Sequence, residues 1–428
     1  MTKKRIGIFS ITCALILLFF WYMKVHGTSD PMPFTSGKVI DFSTGMAIEG
    51  ATVTLHDRVA KTDKKGMFFF NTVGRKLAVR ACGYLRAEMK TSNPSLSRSL
   101  TIRLQPFTPK ALYLTVYGIG DRRIRSSALK LIEETELNSL VIDVKGDRGI
   151  IPYRSSLPAA SKIGAQKIIT VKDMKALIGS LRERGVYLIA RIVVFKDNLL
   201  ALAKPHLAVQ TRDGTVWRDR EDLAWADPFR KEVWDYNISI AVEAAQYGFD
   251  EIQFDYVRFP DTVGLVFSKP NTEEERVKAI SDFLVEAKRR LAPYNVFLDA
   301  DIFGYVFWNI NDTKIGQKLE SLIDPVEYLS PMLYPSGFRY GIPGYRKPVA
   351  HPYEIVSLTL RNGKERANLP SVRFRPWLQA FRDYAFDRRL FGGREIRDQI
   401  KAAEDFGSHG WMLWNPQNTY SADGLKKE

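Results

Sequence analysis

From Ala111 onward the chain alternates short β-type apolar runs with amphipathic helical stretches, eight times over. The expected strands cover 111–117, 138–145, 186–195, 248–260, 296–303, 326–334, 372–380 and 410–415. The helical stretches include 125–135, 171–184, 228–247 and 272–291. Met174, Leu177, Ile178 and Leu181 share one face of the second. Asp227 is expected to cap the third, with Pro228 at its first position. Strands that alternate with helices pair in parallel. Eight such units in about 310 residues predict an α/β fold, a (β/α)8 TIM-type barrel spanning 110–418 with a tail at 419–428. The alternative is a doubly wound open sheet. No Gly-rich phosphate loop of the kind a dinucleotide fold needs is present.

Ahead of the barrel the pattern is different. Residues 37–106 read as a small all-β sandwich of about 70 residues, with turns at Gly45 and at Thr62–Gly66. Val53 and Leu55 alternate with polar neighbours. Gly37-Lys-Val39, Ala47-Ile-Glu-Gly-Ala-Thr-Val53 and Thr62-Asp-Lys-Lys-Gly-Met-Phe68 resemble the carboxypeptidase regulatory-like (transthyretin-like) domain. That resemblance implies a spacer or binding accessory without catalytic residues. Residues 28–36 form a linker. Residues 6–23 are nearly all apolar behind Lys3, Lys4 and Arg5, and about 18 such residues just reach across a bilayer. The basic flank predicts a cytoplasmic N-terminus and an exported remainder. Residues 1–27 are therefore either a membrane anchor or a signal cleaved near Val25-His26-Gly27, leaving the barrel extracytoplasmic.

Lys and Arg number 63 against 48 Asp and Glu, a net charge of +15. That excess suits an anionic partner such as headgroups or an acidic polysaccharide. The basic residues are not gathered into a nucleic-acid motif, so no nucleic-acid partner is expected. Neither Cys13 nor Cys82 has metal-site spacing, and His26, His56, His206, His351 and His409 show no HxH or HxxxH pattern. No metal or cofactor is expected.

In a parallel barrel the last residues of each strand surround the active site. The second strand ends in Asp143 and Lys145, and the third carries Arg191. The fourth carries Gln253 and Asp255, with Arg258 just beyond as a partner for Asp255. Period-two alternation places Gln253, Asp255 and Val257 on one face and Ile252, Phe254 and Tyr256 on the other. The fifth strand offers Asp299 and Asp301, the sixth Tyr334, the seventh Trp377 and Gln379, and the eighth Trp414 and Asn415. Each has a structural alternative. Asp143 and Arg191 can be a core ion pair, Trp377 and Trp414 core side chains, and Asp299 part of a lower barrel layer. Together, carboxyls, amides and flat aromatics on one rim make a sugar-binding set. Asp255 and Asp301, on adjacent strand ends, form the candidate catalytic pair. Asp143, Lys145, Arg191, Gln253, Arg258, Tyr334, Trp377, Gln379, Trp414 and Asn415 are candidate substrate-binding residues. Strands about 4.8 Å apart can bring two carboxyls within the roughly 5–9.5 Å that glycoside hydrolysis uses.

Seven segments, in order, carry a resemblance. They are Val141-Ile-Asp-Val-Lys-Gly-Asp-Arg-Gly149, Arg191-Ile-Val-Val-Phe-Lys-Asp197 and Gly248-Phe-Asp-Glu-Ile-Gln-Phe-Asp-Tyr-Val-Arg-Phe-Pro260. Ala300-Asp-Ile-Phe-Gly304, Pro331-Met-Leu-Tyr-Pro-Ser336, Arg375-Pro-Trp-Leu-Gln379 and Gly410-Trp-Met-Leu-Trp-Asn-Pro416 follow. This stretch resembles the bacterial "Putative glycosyl hydrolase domain" family of (β/α)8 barrels. The resemblance implies a glycoside hydrolase. By likeness to amylase-type barrels Asp255 would be the nucleophile; the fifth-strand acid there is typically Glu, where this chain has Asp301. The expected function is cleavage of a cell-envelope polysaccharide or exopolysaccharide. The alternative is a non-catalytic carbohydrate-binding or envelope-organising protein using the same cleft.

Overall fold

A computed structural model describes residues 34–90 and 98–427. They fall into two compact units, one running through Ala78 with Glu88–Arg103 and the other comprising Val79–Ala87 with Leu104 onward. The apolar stretch 6–23 lies outside the described residues. Among the described residues no helix is long and apolar enough to cross a membrane.

Seven short strands, most of whose residues belong to the smaller unit, precede the barrel: β1 (Thr35–Asp41), β2 (Thr52–Leu55), β3 (Arg58–Lys61), β4 (Met67–Phe70), β5 (Lys76–Arg80), β6 (Ala87–Lys90) and β7 (Arg98–Leu104). One sheet has the order β4-β1-β7 and the other β3-β2-β5-β6. β1 pairs with β4, and β2 with β3, antiparallel. Alternation along β4 buries Phe68 and Phe70 and leaves Met67 and Phe69 exposed. β2 departs from the expected pattern, since all four of its residues are buried. Gly45 makes its turn at a φ of 70°, a conformation a Cβ would strain.

The larger unit is a closed barrel of β8 (Lys110–Leu114), β9 (Ser139–Lys145), β10 (Tyr187–Val193), β11 (Glu251–Asp255), β12 (Phe297–Phe303), β13 (Tyr328–Met332), β14 (Trp377–Gln379) and β15 (Trp411–Trp414). Each strand pairs in parallel with the next, and β15 closes onto β8. That closure rules out the open sheet. Outward-facing Ile142, Leu188, Ile252, Phe254, Ala300 and Leu329 are buried with residues of the surrounding helices. Burying one such Leu, Ile or Phe contributes about 1.5–3 kcal/mol. Inward-facing Tyr113, Val141, Tyr187, Ile189, Phe297, Tyr328, Trp377 and Met412 form a second cluster inside the barrel.

The interior also holds polar layers. Near the N-terminal ends of the strands, Arg375 donates to Glu251 at 2.5 Å, and both are fully buried. Above them Asp299 accepts from Gln253 at 2.8 Å and from Ser330 at 2.6 Å. Asp299 therefore belongs to a hydrogen-bonded lower layer.

Helix boundaries follow their caps. Thr272 accepts from the Glu275 amide at the start of the helix Glu273–Leu291. Three glutamates in its first turn and Lys288, Arg289 and Arg290 in its last complement the helix dipole. The preceding helix corrects the sequence reading. It begins at Lys231, with Arg230 as an N-cap that makes no side-chain bond. Asp227 instead accepts from the amides of Phe229 at 2.9 Å and Ser268 at 2.7 Å, tying two loop segments together.

Candidate active site

The centre of the barrel mouth is Arg191, at the inward-facing position of β10 paired with Asp143 on β9 and Gln253 on β11. Its Nη1 donates to Asp143 Oδ1 at 2.6 Å, its Nε to Asp255 Oδ2 at 3.0 Å, and its Nη2 to the same Asp255 oxygen. Asp301 Oδ2 lies 3.8 Å from the same Nε. The guanidinium rests 4.7 Å from the Trp414 ring and 5.4 Å from that of Tyr113. Tyr113 and Trp414 are themselves stacked at 3.9 Å. One buried cation thus serves three carboxyls, with aromatic faces beside it.

The carboxyls are not equivalent. Burial pushes Asp143 up to about 6, against the opposing pull of Arg191 and the Tyr113 hydroxyl, which donates to it at 2.6 Å. Asp301 is raised well above the ordinary carboxylate range, first by burial and then by the charges of Asp255 and Asp299. Its Oδ1 accepts from Trp377 Nε1 at 2.6 Å, while its Oδ2 has no hydrogen-bond partner. Asp301 therefore holds a proton more tightly than an ordinary carboxyl, and Asp255 is the carboxyl that Arg191 grips directly.

Two cavities open on this cluster. The first, about 280 Å³, is lined by Asp255, Arg258, Tyr305, Tyr334, Trp377 and Tyr384, among others. The second, about 210 Å³, is lined by Tyr113, Tyr117, Asp143, Asp147 and Arg148, among others. Arg191, Tyr256 and Trp414 line both, so the two are lobes on either side of a shared wall.

Asp143, Arg191, Asp255, Arg258, Tyr334, Trp377 and Trp414 line these lobes, and Asp301 lies just beneath, bonded to Trp377. Four expected substrate-binding residues do not reach the mouth. Lys145 is paired with Asp197 at 2.6 Å, both fully buried, and that carboxylate is the partner a buried ammonium requires. Gln253 is taken by Asp299 in the lower layer. Gln379 bonds the Ser336 amide and hydroxyl and shapes the loop after β13. Asn415 donates to the carbonyls of Ala380 and Thr419 and closes the turn after β15. Arg258 is not the partner of Asp255; Arg191 is. The Arg258 guanidinium packs 5.0 Å from the Trp225 ring and 5.2 Å from that of Tyr256.

Sequence reasoning passed over Tyr113 and Tyr256. Tyr113 occupies an inward position of β8, and alternation along the first strand contained that signal. Tyr256 could not be placed that way. Alternation put it facing the helices, but it sits just past the strand at a φ of 46°, where its amide donates to Asp255 Oδ1 at 2.5 Å. A non-glycine residue held there costs on the order of 1–3 kcal/mol and marks a constrained site.

A closed parallel barrel with a polar, aromatic-lined cavity at the C-terminal ends of its strands is of the same (β/α)8 class as glycoside hydrolase domains. The PgaB (BpsB) glycoside hydrolase domain from Bordetella bronchiseptica shares this fold at 13% identity, over 73% of this chain and 95% of that chain, with a TM-score of 0.53. Residues 111–420 match the family described as "Putative glycosyl hydrolase domain", and the chain belongs to that family. A hypothetical protein from Ruminiclostridium thermocellum ATCC 27405 is 38% identical over 44% of this chain and 96% of that chain, with a TM-score of 0.40. A chitinase from Chromobacterium violaceum ATCC 12472 aligns at 11% identity over 74% of this chain and 96% of that chain, with a TM-score of 0.44. No curated protein matches the chain.

Proposed function

We propose that the protein is an extracytoplasmic glycoside hydrolase that cleaves a cell-envelope polysaccharide or exopolysaccharide with Asp255 and Asp301. The observation that carries this reading is that both carboxyls bracket one atom, Arg191 Nε, at 3.0 and 3.8 Å, beneath an aromatic-lined cavity. Those distances keep the two oxygens no more than about 7 Å apart, which leaves out the wider separations that glycosidases use. Asp301, protonated, is the group that gives its proton to the leaving glycosidic oxygen. Asp255, held by Arg191 and lining the cavity, attacks the anomeric carbon or takes a proton from water. Unpaired in this setting, two adjacent carboxylates would repel; the proton on Asp301 and the guanidinium of Arg191 remove that conflict. The exported location rests on the basic and apolar run at residues 3–23, and the small β unit is read as an accessory in the manner of carboxypeptidase regulatory-like domains.

One observation favours a second reading, a non-catalytic glycan-binding or envelope-organising protein. Asp301 is only 1% exposed, and Arg191 already occupies two carboxylates. Reducing-end release from a panel of bacterial polysaccharides separates the two. The expected result is release by wild type and a loss of at least about a hundredfold in Asp255→Asn and in Asp301→Asn, with glycan binding retained. Saturable glycan binding by wild type with no release would move the conclusion to the binding protein.

A further inference from the structure

One arginine of the larger lobe is left without an ion pair among the described residues. Arg191 is matched by Asp143 and Asp255. Arg258, half-buried in the same lobe, has no carboxylate partner among the described residues, and its one side-chain bond is from Nη1 to the Phe259 carbonyl at 2.9 Å. Trp225 and Tyr256 pack against the guanidinium, which holds it in place without neutralising it. Exposed Arg339 stacks 5.8 Å from the ring of Tyr384, another lining residue, and Arg220 acts electrostatically on the same tyrosine. Neither has an ion-pair partner among the described residues. The acidic groups nearby are already engaged: Asp255 by Arg191, and Asp383 by the Ser336 hydroxyl and the amides of residues 385–388.

We propose that Arg258 recognises an acidic sugar, with its unmatched guanidinium binding the carboxylate of a uronic-acid residue in the lobe beside Asp255. A planar guanidinium meets a planar carboxylate through two parallel hydrogen bonds, a geometry a neutral hydroxymethyl group cannot reproduce. A neutral sugar closing over Arg258 would strip water from a cation and return no charge. Arg339 and Arg220, further out, would steer the anionic chain toward the lobe rather than fix its register. This inference rests on the glycan-cleft reading above and deepens it by naming the substrate class as a uronate-containing polymer.

The test uses the full chain and paired probes. A hexamer of β-1,4-linked glucuronic acid is compared with cellohexaose, and a hexamer of α-1,4-linked galacturonic acid with its carboxyl-reduced form. Binding is measured by equilibrium dialysis, and products are followed by chromatography. The expected result is that at least one acidic hexamer binds about tenfold or more tightly than its neutral twin. That preference should shrink between about 50 mM and about 500 mM salt. It should fall below about threefold in Arg258→Gln and survive in part in Arg258→Lys, with unchanged near-ultraviolet circular dichroism establishing that the variants fold. Equal binding of acidic and neutral twins, an acid preference that survives in Arg258→Gln, or no binding of either acidic hexamer overturns the proposal. Acid-selective binding without cleavage would sink the hydrolase reading alone, whereas equal binding and cleavage of acidic and neutral twins would sink this one alone.

Discussion

Arg191 shows how one residue links the carboxyls of a whole site. Asp143 and Asp255 bond it directly, while Asp301, 3.8 Å away, is the carboxyl that burial and its acidic neighbours raise well above the ordinary range. Asp143 is itself pushed up by burial to about 6. Its value in an unfolded chain is about 3.9, so the folded protein holds this proton more tightly. The resulting stabilisation is fully present below the unfolded value and is lost as pH rises through about 6. At about 1.4 kcal/mol per unit, the loss is on the order of 3 kcal/mol. Wild type should therefore lose that much stability relative to Asp143→Asn between about pH 4 and about pH 7, as measured by urea unfolding. A stability gap that does not move with pH would show that Asp143 does not titrate in this way.

At the scale of elements, the strands were legible and their ends were not. Apolar runs set between amphipathic helices located every barrel strand, because a barrel strand is buried on both faces. β11 stops at Asp255, five residues before Pro260, since Tyr256 turns into the left-handed region. β8 stops at Leu114 and β14 keeps only Trp377–Gln379. Such endings are decided by loop contacts that local propensity does not carry. The helix Pro352–Ala367 gives another case. It clamps the loop after β12, with Asn362 donating to the Phe307 carbonyl at 2.5 Å and Arg366 to those of Val306 and Asn309 at 2.9 Å each. Gly363 lies directly on the Phe307 ring. By helix propensity alone Gly363→Ala should stabilise by about 1 kcal/mol. A Cβ there would lie 2.0 Å from a carbon of the ring, far inside van der Waals contact, and overpacking costs about 1–3 kcal/mol. The expected outcome is a net loss of stability, read from urea midpoints, and a weaker cavity wall, because Gly304 and Tyr305 stand on the same loop. A gain of stability would mean that Phe307 moves aside freely.

For the whole molecule, the proposal of export rests on residues outside the described part. Fusing alkaline phosphatase after the small β unit tests it: phosphatase activity in intact cells is expected with residues 1–27 and should be lost without them. Activity that does not depend on residues 1–27 would remove the extracytoplasmic half of the proposed function. The sequence by itself determined the class of fold, because eight alternations of strand and helix over one long segment close most economically as a parallel barrel. It also determined which strand ends carry carboxyls, since period-two alternation is a local property. Tertiary structure alone decided that Arg191, not Arg258, pairs with Asp255. It decided equally that Lys145, Gln253, Gln379 and Asn415 are spent on internal bonds. Partners of a buried polar group come from strands and loops distant along the chain, and only closure of the barrel sets which of them lies within hydrogen-bond reach.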